Sequence, residues 1–156
     1  MANEEHLARL KEGVTPWNRW REKHAEITPD LSQADLHEHE LRGVNLQEAN
    51  LRGTDLRFAD LRWSDLRSAD FSEQADLHGA DLRLADLRGA ILHSANLSGA
   101  NLSSANLSGA DLDGVTLDYG HVGRCNAPHL SSSHERRTVA VEVVSFKLSR
   151  GLVSQR

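Results

Sequence analysis

Apolar and polar positions along this chain follow a period that belongs to neither a helix nor a strand. From Leu31 a large apolar residue recurs at every fifth position: Leu36, Leu41, Leu46, Leu51, Leu56, Leu61, Leu66 and Phe71. One additional residue then intervenes. The series continues at Leu77, Leu82, Leu87, Leu92, Leu97, Leu102, Leu107, Leu112 and Leu117. Leucine therefore fills 17 of 18 centres and phenylalanine one. Two residues before the centre the chain is small, with alanine at 12 of 18 places, among them Ala34, Ala59, Ala85 and Ala105. Immediately before the centre stands Asp or Asn in 15 of 18. The unit is A-(D/N)-L-x-x.

A helix would repeat near 3.6 residues and a half-buried strand near 2. On a helix each five-residue step would turn the leucine by about 140°, scattering the series over every face. The five-residue unit is therefore itself the structural element: a short extended side followed by a corner. Alternation along the extended part turns the centre and the small residue inward. The Asp/Asn and the residue after the centre then face outward. Glycine and serine recur two residues after the centre, as at Gly43, Gly53 and Gly79, where a corner needs permissive backbone.

These repeats resemble the pentapeptide-repeat family from about Pro29 to Leu117, with a weaker echo at Val122. The resemblance implies an all-β fold, a right-handed quadrilateral β-helix solenoid with four repeats in each square coil. Eighteen repeats would make about four and a half coils, a rod roughly 20–25 Å long at ~4.8 Å per coil. Burying each leucine is worth about 1.5–3 kcal/mol, so stacked leucines can support such a rod with few aromatics.

A solenoid leaves core and strand edges open at its ends. Residues 1–28 read as an N-terminal α-helical cap, followed by the β-helix over 29–127 and a C-terminal tail or strand cap over 128–156. Leu7, Leu10, Val14 and Trp17 recur at helical spacing. Gly13 reads as a helix stop, Thr15 as the next N-cap and Pro16 as the first helical residue. The stretch GVTPWNRWREKHAEITPDLSQADL resembles a leader that precedes the repeats in many bacterial pentapeptide proteins. Trp17 and Trp20 either plug the first coil or dock a partner, and the need to cover an open edge favours the plug. Past Leu117 the pattern decays. Arg137 to Leu148 is valine-rich and reads as strand, lying over the last coil or belonging to a loose tail.

Formal net charge is −5 over 156 residues, and the repeat region carries 16 acidic and 8 basic groups. That balance opposes direct nucleic-acid binding, which requires phosphates to be neutralised. No apolar run approaches the ~18 residues of a membrane span, and the first residues are charged, so the expected location is cytoplasmic without membrane association. A single cysteine, Cys125, excludes an intramolecular disulfide. His121 and His129 flank it, with no orienting third group for nucleophilic chemistry. In His37-Glu38-His39-Glu40 alternation points His37 outward and His39 inward, against a shared metal. No phosphate loop or triad is legible, and a leucine-filled rod leaves no substrate cavity. No catalytic, cofactor or metal site is expected.

The surface is legible too. Arg42, Arg62 and Arg83 should stack beside Glu40, Asp60 and Asp81, and Arg67 and Arg88 beside Asp65 and Asp86. Two residues after the centre, Phe58, Trp63 and Leu84 break the Gly/Ser/Glu habit. Exposed apolar groups mark interfaces, so these three, rimmed by Arg62 and Arg83, form the candidate protein-binding surface. The expected function is a non-enzymatic scaffold for protein–protein interaction, its partner another protein or a second copy in a homodimer. An alternative is drawn from family members resembling this chain: a DNA mimic that binds DNA gyrase and protects it from quinolones. Interleaved arginines and a mere one-residue insertion count against it.

The inward assignment has a direct check. Leu82→Asp would bury a carboxylate among leucines with no partner, and should lower stability by several kcal/mol in thermal or urea unfolding. An unchanged melting temperature would place that column outside the core.

Overall fold

The computed structural model describes residues 1–117. The expectations for Val122, for Cys125 with its flanking histidines and for segment 128–156 lie outside the described residues.

From Asp30 onward the chain winds as a four-sided coil. Parallel bridges join Asp30 to Asn50, Asp35 to Asp55, Glu40 to Asp60 and Asn45 to Asp65. The chain thus returns to the same side after four pentapeptides. Across Ser72-Glu73-Gln74 the step lengthens by one residue, as in Asp60 to Asp81, and then reverts, as in Asp76 to Asn96. Glu73 and Gln74 both take positive φ (57° and 64°), so the extra residue is absorbed in one wide corner without shifting the sides.

The five-residue unit satisfies all of its own amide groups. Around Leu61, the Leu61 amide donates to Asp81 O (2.8 Å) and the Trp63 amide to Arg83 O (3.1 Å) in the next coil. The Asp65 amide donates back to Val44 O (2.9 Å), and the Ser64 amide closes the corner on Leu61 O (3.2 Å). One amide remains, that of Arg62, and the Asp60 carboxylate accepts it at 3.1 Å. The same side-chain bond recurs from Ser32 on Asp30 to Asp113 on Asp111. This is the physical reason for Asp or Asn before each centre: a short side chain whose oxygen caps an otherwise unpaired N–H two residues on. Glu40, Ile91 and Thr116 depart from it.

The residue two after the centre sits at positive φ at every described corner from Gln33 to Gly114, whatever its identity, as at Gly43 (71°), Trp63 (55°) and Leu84 (61°). With the backbone bond from the small residue to the centre, this is the pattern of a type II turn.

Inside, the leucines from Leu31 to Leu102, with Phe71, are essentially solvent-free. Leu107 and Leu112 are nearly so, and Leu117, in the last described repeat, is half-buried. The alanines fill the space between columns. Where polar residues replace them their hydroxyls are satisfied: Thr54 Oγ1 donates to Leu31 O and Ser64 Oγ to Leu61 O.

Two helices precede the coil, α1 over Glu4–Lys11 and α2 over Val14–Lys23. Asn3 caps α1, its Oδ1 accepting from the Glu5 and His6 amides. The expected start of α2 is corrected. Gly13, at φ 118°, takes the place before the helix, and Thr15 and Pro16 are its second and third residues. Proline is tolerated there because the first helical amides have no intrahelical acceptor. Gly13 both ends α1 and begins α2, a conformation closed to most side chains.

The helices occupy the edge of the first coil by imitating a preceding one. On the side of Asp30, the Asn3 amide donates to Asp30 O and the Asp30 amide to His6 Nδ1. On the side of Asn45, Trp17 Nε1 donates to Asn45 O (2.7 Å) and the Asn45 amide to Asn18 Oδ1 (2.8 Å). Trp17 and Leu10 are buried against the leucine columns. Arg21, also buried, sends its guanidinium to the carbonyls of His24, Ile27 and Gln47. Burial pulls its pKa down from the usual value.

Removing residues 1–27 would strip these bonds and expose Leu31, Leu36 and Leu41 at one open end. Light scattering should then report higher oligomers or aggregation. A monodisperse monomer of unchanged melting temperature would show that the helices are dispensable to the coil.

Candidate functional site

The outward faces carry ladders set by the coil repeat. Arg62 chelates Asp60 of its own unit and lies 3.6 Å from Asp81 of the next coil. Arg57 does the same with Asp55 and Asp76, and Arg67 with Asp65 and Asp86. Arg83 and Arg88 form two-pronged bonds to Asp81 and Asp86. The columns of acid and base expected from the spacing are thus adjacent. The guanidiniums of Arg57, Arg62 and Arg67 also separate two carboxylates that would otherwise repel along the rod.

The aspartates respond. Hydrogen bonds from the partner guanidiniums, reinforced by the amide each Asp caps, hold Asp55, Asp60, Asp81 and Asp86 below the usual carboxylate range. In the later coils Asn96, Asn101 and Asn106 keep the amide bond without charge.

The three apolar corner residues are exposed: Phe58 at 52%, Trp63 at 48% and Leu84 at 48%. Trp63 and Leu84 are successive members of one corner, since the Trp63 amide bonds Arg83 O. Phe58 occupies the adjoining corner, where its ring stands edge-on to His37 (5.9 Å) and His78 (5.3 Å). It leans over Gly79, where an added Cβ would lie 2.5 Å from the ring. Glycine there makes room for Phe58. Trp63 carries the Arg42 guanidinium on its face at 4.2 Å, with Arg62 at 5.9 Å. The surface therefore has two neighbouring parts, a His–Phe–His corner and an Arg–Trp–Leu corner. Of the expected rim, Arg62 is more buried than Arg83, and both guanidiniums are engaged by carboxylates.

Other residues sort differently. Trp17 lies in the core, whereas Trp20 is only partly buried. His39 is half-buried with Nδ1 3.1 Å from His37 O. No metal-binding group of His, Cys, Asp or Glu is found among the described residues. None of their helices is long and apolar enough to cross a membrane. Sequence reasoning passed over Ile91, 41% exposed in an Asp/Asn place, although its break with the motif is visible. It also passed over Arg21 and Asn18, whose spacing carries no signal.

Comparison with known proteins places these features in context. A family model described as pentapeptide repeats (8 copies) matches residues 34–73, 72–93 and 80–118, more than half of the chain. A solved pentapeptide repeat protein from the cyanobacterium Cyanothece 51142 is 33% identical, with 61% of this chain and 60% of that protein covered and a TM-score of 0.46. The chain thus spans less than two thirds of that relative. A pentapeptide repeat protein from the Arabidopsis thaliana thylakoid lumen is 29% identical, covering 72% and 75%, with a TM-score of 0.36. QnrB1, a plasmid-mediated fluoroquinolone resistance protein, is 23% identical, covering 58% and 62%, with a TM-score of 0.41. No curated protein matches.

Asp81 separates the two duties of the ladder. Asp81→Asn keeps the oxygen that accepts the Arg83 amide and loses only the charged contacts with Arg83 and Arg62, so at neutral pH it should melt below wild type but above Asp81→Ala. Asp81→Ala loses that acceptor and should cost about 0.5–1.5 kcal/mol. Because the native carboxylates titrate below their unfolded values, their stabilisation is complete above pH ~4 and is lost as pH falls through the folded-state values. Unfolding followed from neutral to acid pH should show a shallower acid decline for Asp81→Asn. Equal losses in both variants at neutral pH would make charge, not the capped amide, the dominant contribution.

Proposed function

The chain belongs to the pentapeptide-repeat family, and from that premise we propose that it is a non-enzymatic scaffold whose rigid β-helix surface binds another protein or a second copy of itself. The contact is centred on Trp63 and Leu84, with Phe58 on the adjoining corner.

One observation carries this reading. Trp63 and Leu84 present large apolar side chains to solvent from backbone at φ 55° and 61°. A left-handed backbone costs a bulky residue roughly 1–2 kcal/mol relative to its ordinary conformation, a strain that glycine avoids. Equivalent corners are filled by Gly43 and Ser104. Bulky residues here thus carry both backbone strain and unburied apolar area. Burial against a partner, at about 1.5–3 kcal/mol per large side chain, would offset both. Arg42 stacked on Trp63 extends the apolar face, as cation–aromatic pairs do at binding surfaces.

The DNA-mimic alternative finds less support. A duplex mimic needs an uninterrupted anionic face, whereas Arg57, Arg62 and Arg67 stand between successive aspartates in three ladders. Gyrase supercoiling in the presence of a quinolone separates the two readings, since a scaffold leaves inhibition unchanged.

Replacing Trp63 and Leu84 by asparagine, which tolerates left-handed backbone, tests the proposal. The double variant should melt at or above the wild-type temperature. It should also lose self-association in sedimentation, or lose a partner that the wild type captures from host lysate. A variant that unfolds would make these residues structural. One that associates and captures as the wild type does would move the interface elsewhere.

A further inference from the structure

The two tryptophans of α2 have different surroundings. Trp17 is sealed in the core, but Trp20 lines a recess of about 430 Å³ together with Arg9, Pro16, Arg19, Lys23 and His24. That is within the size range of ligand pockets and accommodates a large side chain. The Trp20 ring is braced by Trp17 (5.1 Å), His6 (5.2 Å) and His24 (5.6 Å), and the Arg9 guanidinium lies 5.6 Å from its centre.

The cations of this recess differ from most of those along the rod. There Arg52, Arg57, Arg62, Arg67, Arg83 and Arg88 are paired with carboxylates, and Arg42 lies instead on the Trp63 ring. In the recess only Arg9 has such a partner, Glu5 at 2.8 Å. Arg19 and Lys23 are exposed and make no ion pair among the described residues. No carboxylate lines the recess. An aromatic wall and proline beside two unmatched cations, Arg19 and Lys23, are complementary to a ligand with an apolar centre and anionic flanks.

We propose that this recess docks an acidic segment of a partner protein, one that places an aromatic or proline side chain against Trp20 and carboxylates on Arg9, Arg19 and Lys23. A nucleic acid would supply rings and negative charge as well. It would also extend beyond the recess along a repeat region with 16 acidic and 8 basic groups, which repels a polyanion. A short acidic peptide meets only the cations. The site is independent of the Trp63–Leu84 corner and does not rest on it.

The test uses the full chain and a fluorescein-labelled Glu-Asp-Phe-Glu-Asp peptide, followed by anisotropy. Saturable binding is expected, weakening as ionic strength rises. Arg19→Glu with Lys23→Glu should reduce affinity at least about tenfold, and Arg19→Gln with Lys23→Gln less. Both pairs of substitutions change exposed side chains and should leave the melting temperature intact. The Trp63 and Leu84 asparagine variant should bind the peptide as wild type does, so this site and the corner fail or stand separately. Absence of saturable binding, equal affinity in the charge-reversed protein, or tighter binding of a short oligothymidylate than of the peptide would each overturn the proposal.

Discussion

Pairing the amide groups of a coil that forms no long strand among the described residues is the constraint behind this structure. Each side of the square is too short to pair as a conventional strand would, so each pentapeptide must satisfy its five N–H groups within a few residues and one neighbouring coil. Three go to adjacent coils, one closes the corner, and the last goes to an aspartate or asparagine side chain. Every consensus position follows from this. The centre and the small residue must face inward to fill the axis, the Asp/Asn must reach the spare amide, and the corner must accept positive φ.

The same constraint shapes the surface. Because Asp is placed to cap an amide, its second oxygen remains available, and the arginine two residues on can grip it. The ladder of ion pairs thus grows out of a backbone requirement. Its replacement by Asn and Ser in later coils leaves the backbone bond in place. At the first coil the constraint appears as a demand for substitutes. His6, Trp17 and Asn18 supply donors and acceptors that a preceding coil would have offered on two sides. Specialisation follows: Trp17 is consumed by the edge, while Trp20, one helical turn on, is left to line a recess.

The residues proposed for binding are those that break the rules of the repeat without a structural gain. Phe58 has a local reason for its shape, a ring seated over Gly79 between two histidines. Trp63 and Leu84 have less: both hold strained backbone and keep about half of their surface in water. Arg19 and Lys23 likewise lack the carboxylate partners that most arginines of the rod have. Apolar corners and unmatched cations are different chemistries at different places, so the two proposed surfaces call for different partners.

The fivefold series of leucines and alanines by itself determined the repeat, the inward columns and the register slip near Phe71, because side-chain alternation over so short a unit admits one solution. The acid–base ladders became legible only once the family resemblance implied four repeats per coil, since that number decides which residues stack. What only the tertiary structure decided depends on atoms distant in the chain. The aspartates proved to be amide caps, a role that composition and polarity cannot distinguish from simple exposure. The start of α2 fell at Val14, with Gly13 rather than Thr15 as the residue before the helix, because the φ 118° backbone at Gly13 sets the turn out of α1. Arg21 and Asn18 found their carbonyl partners across the first coil, and Trp17 and Trp20, alike in sequence, were divided between core and recess by which face of α2 the coil edge covers.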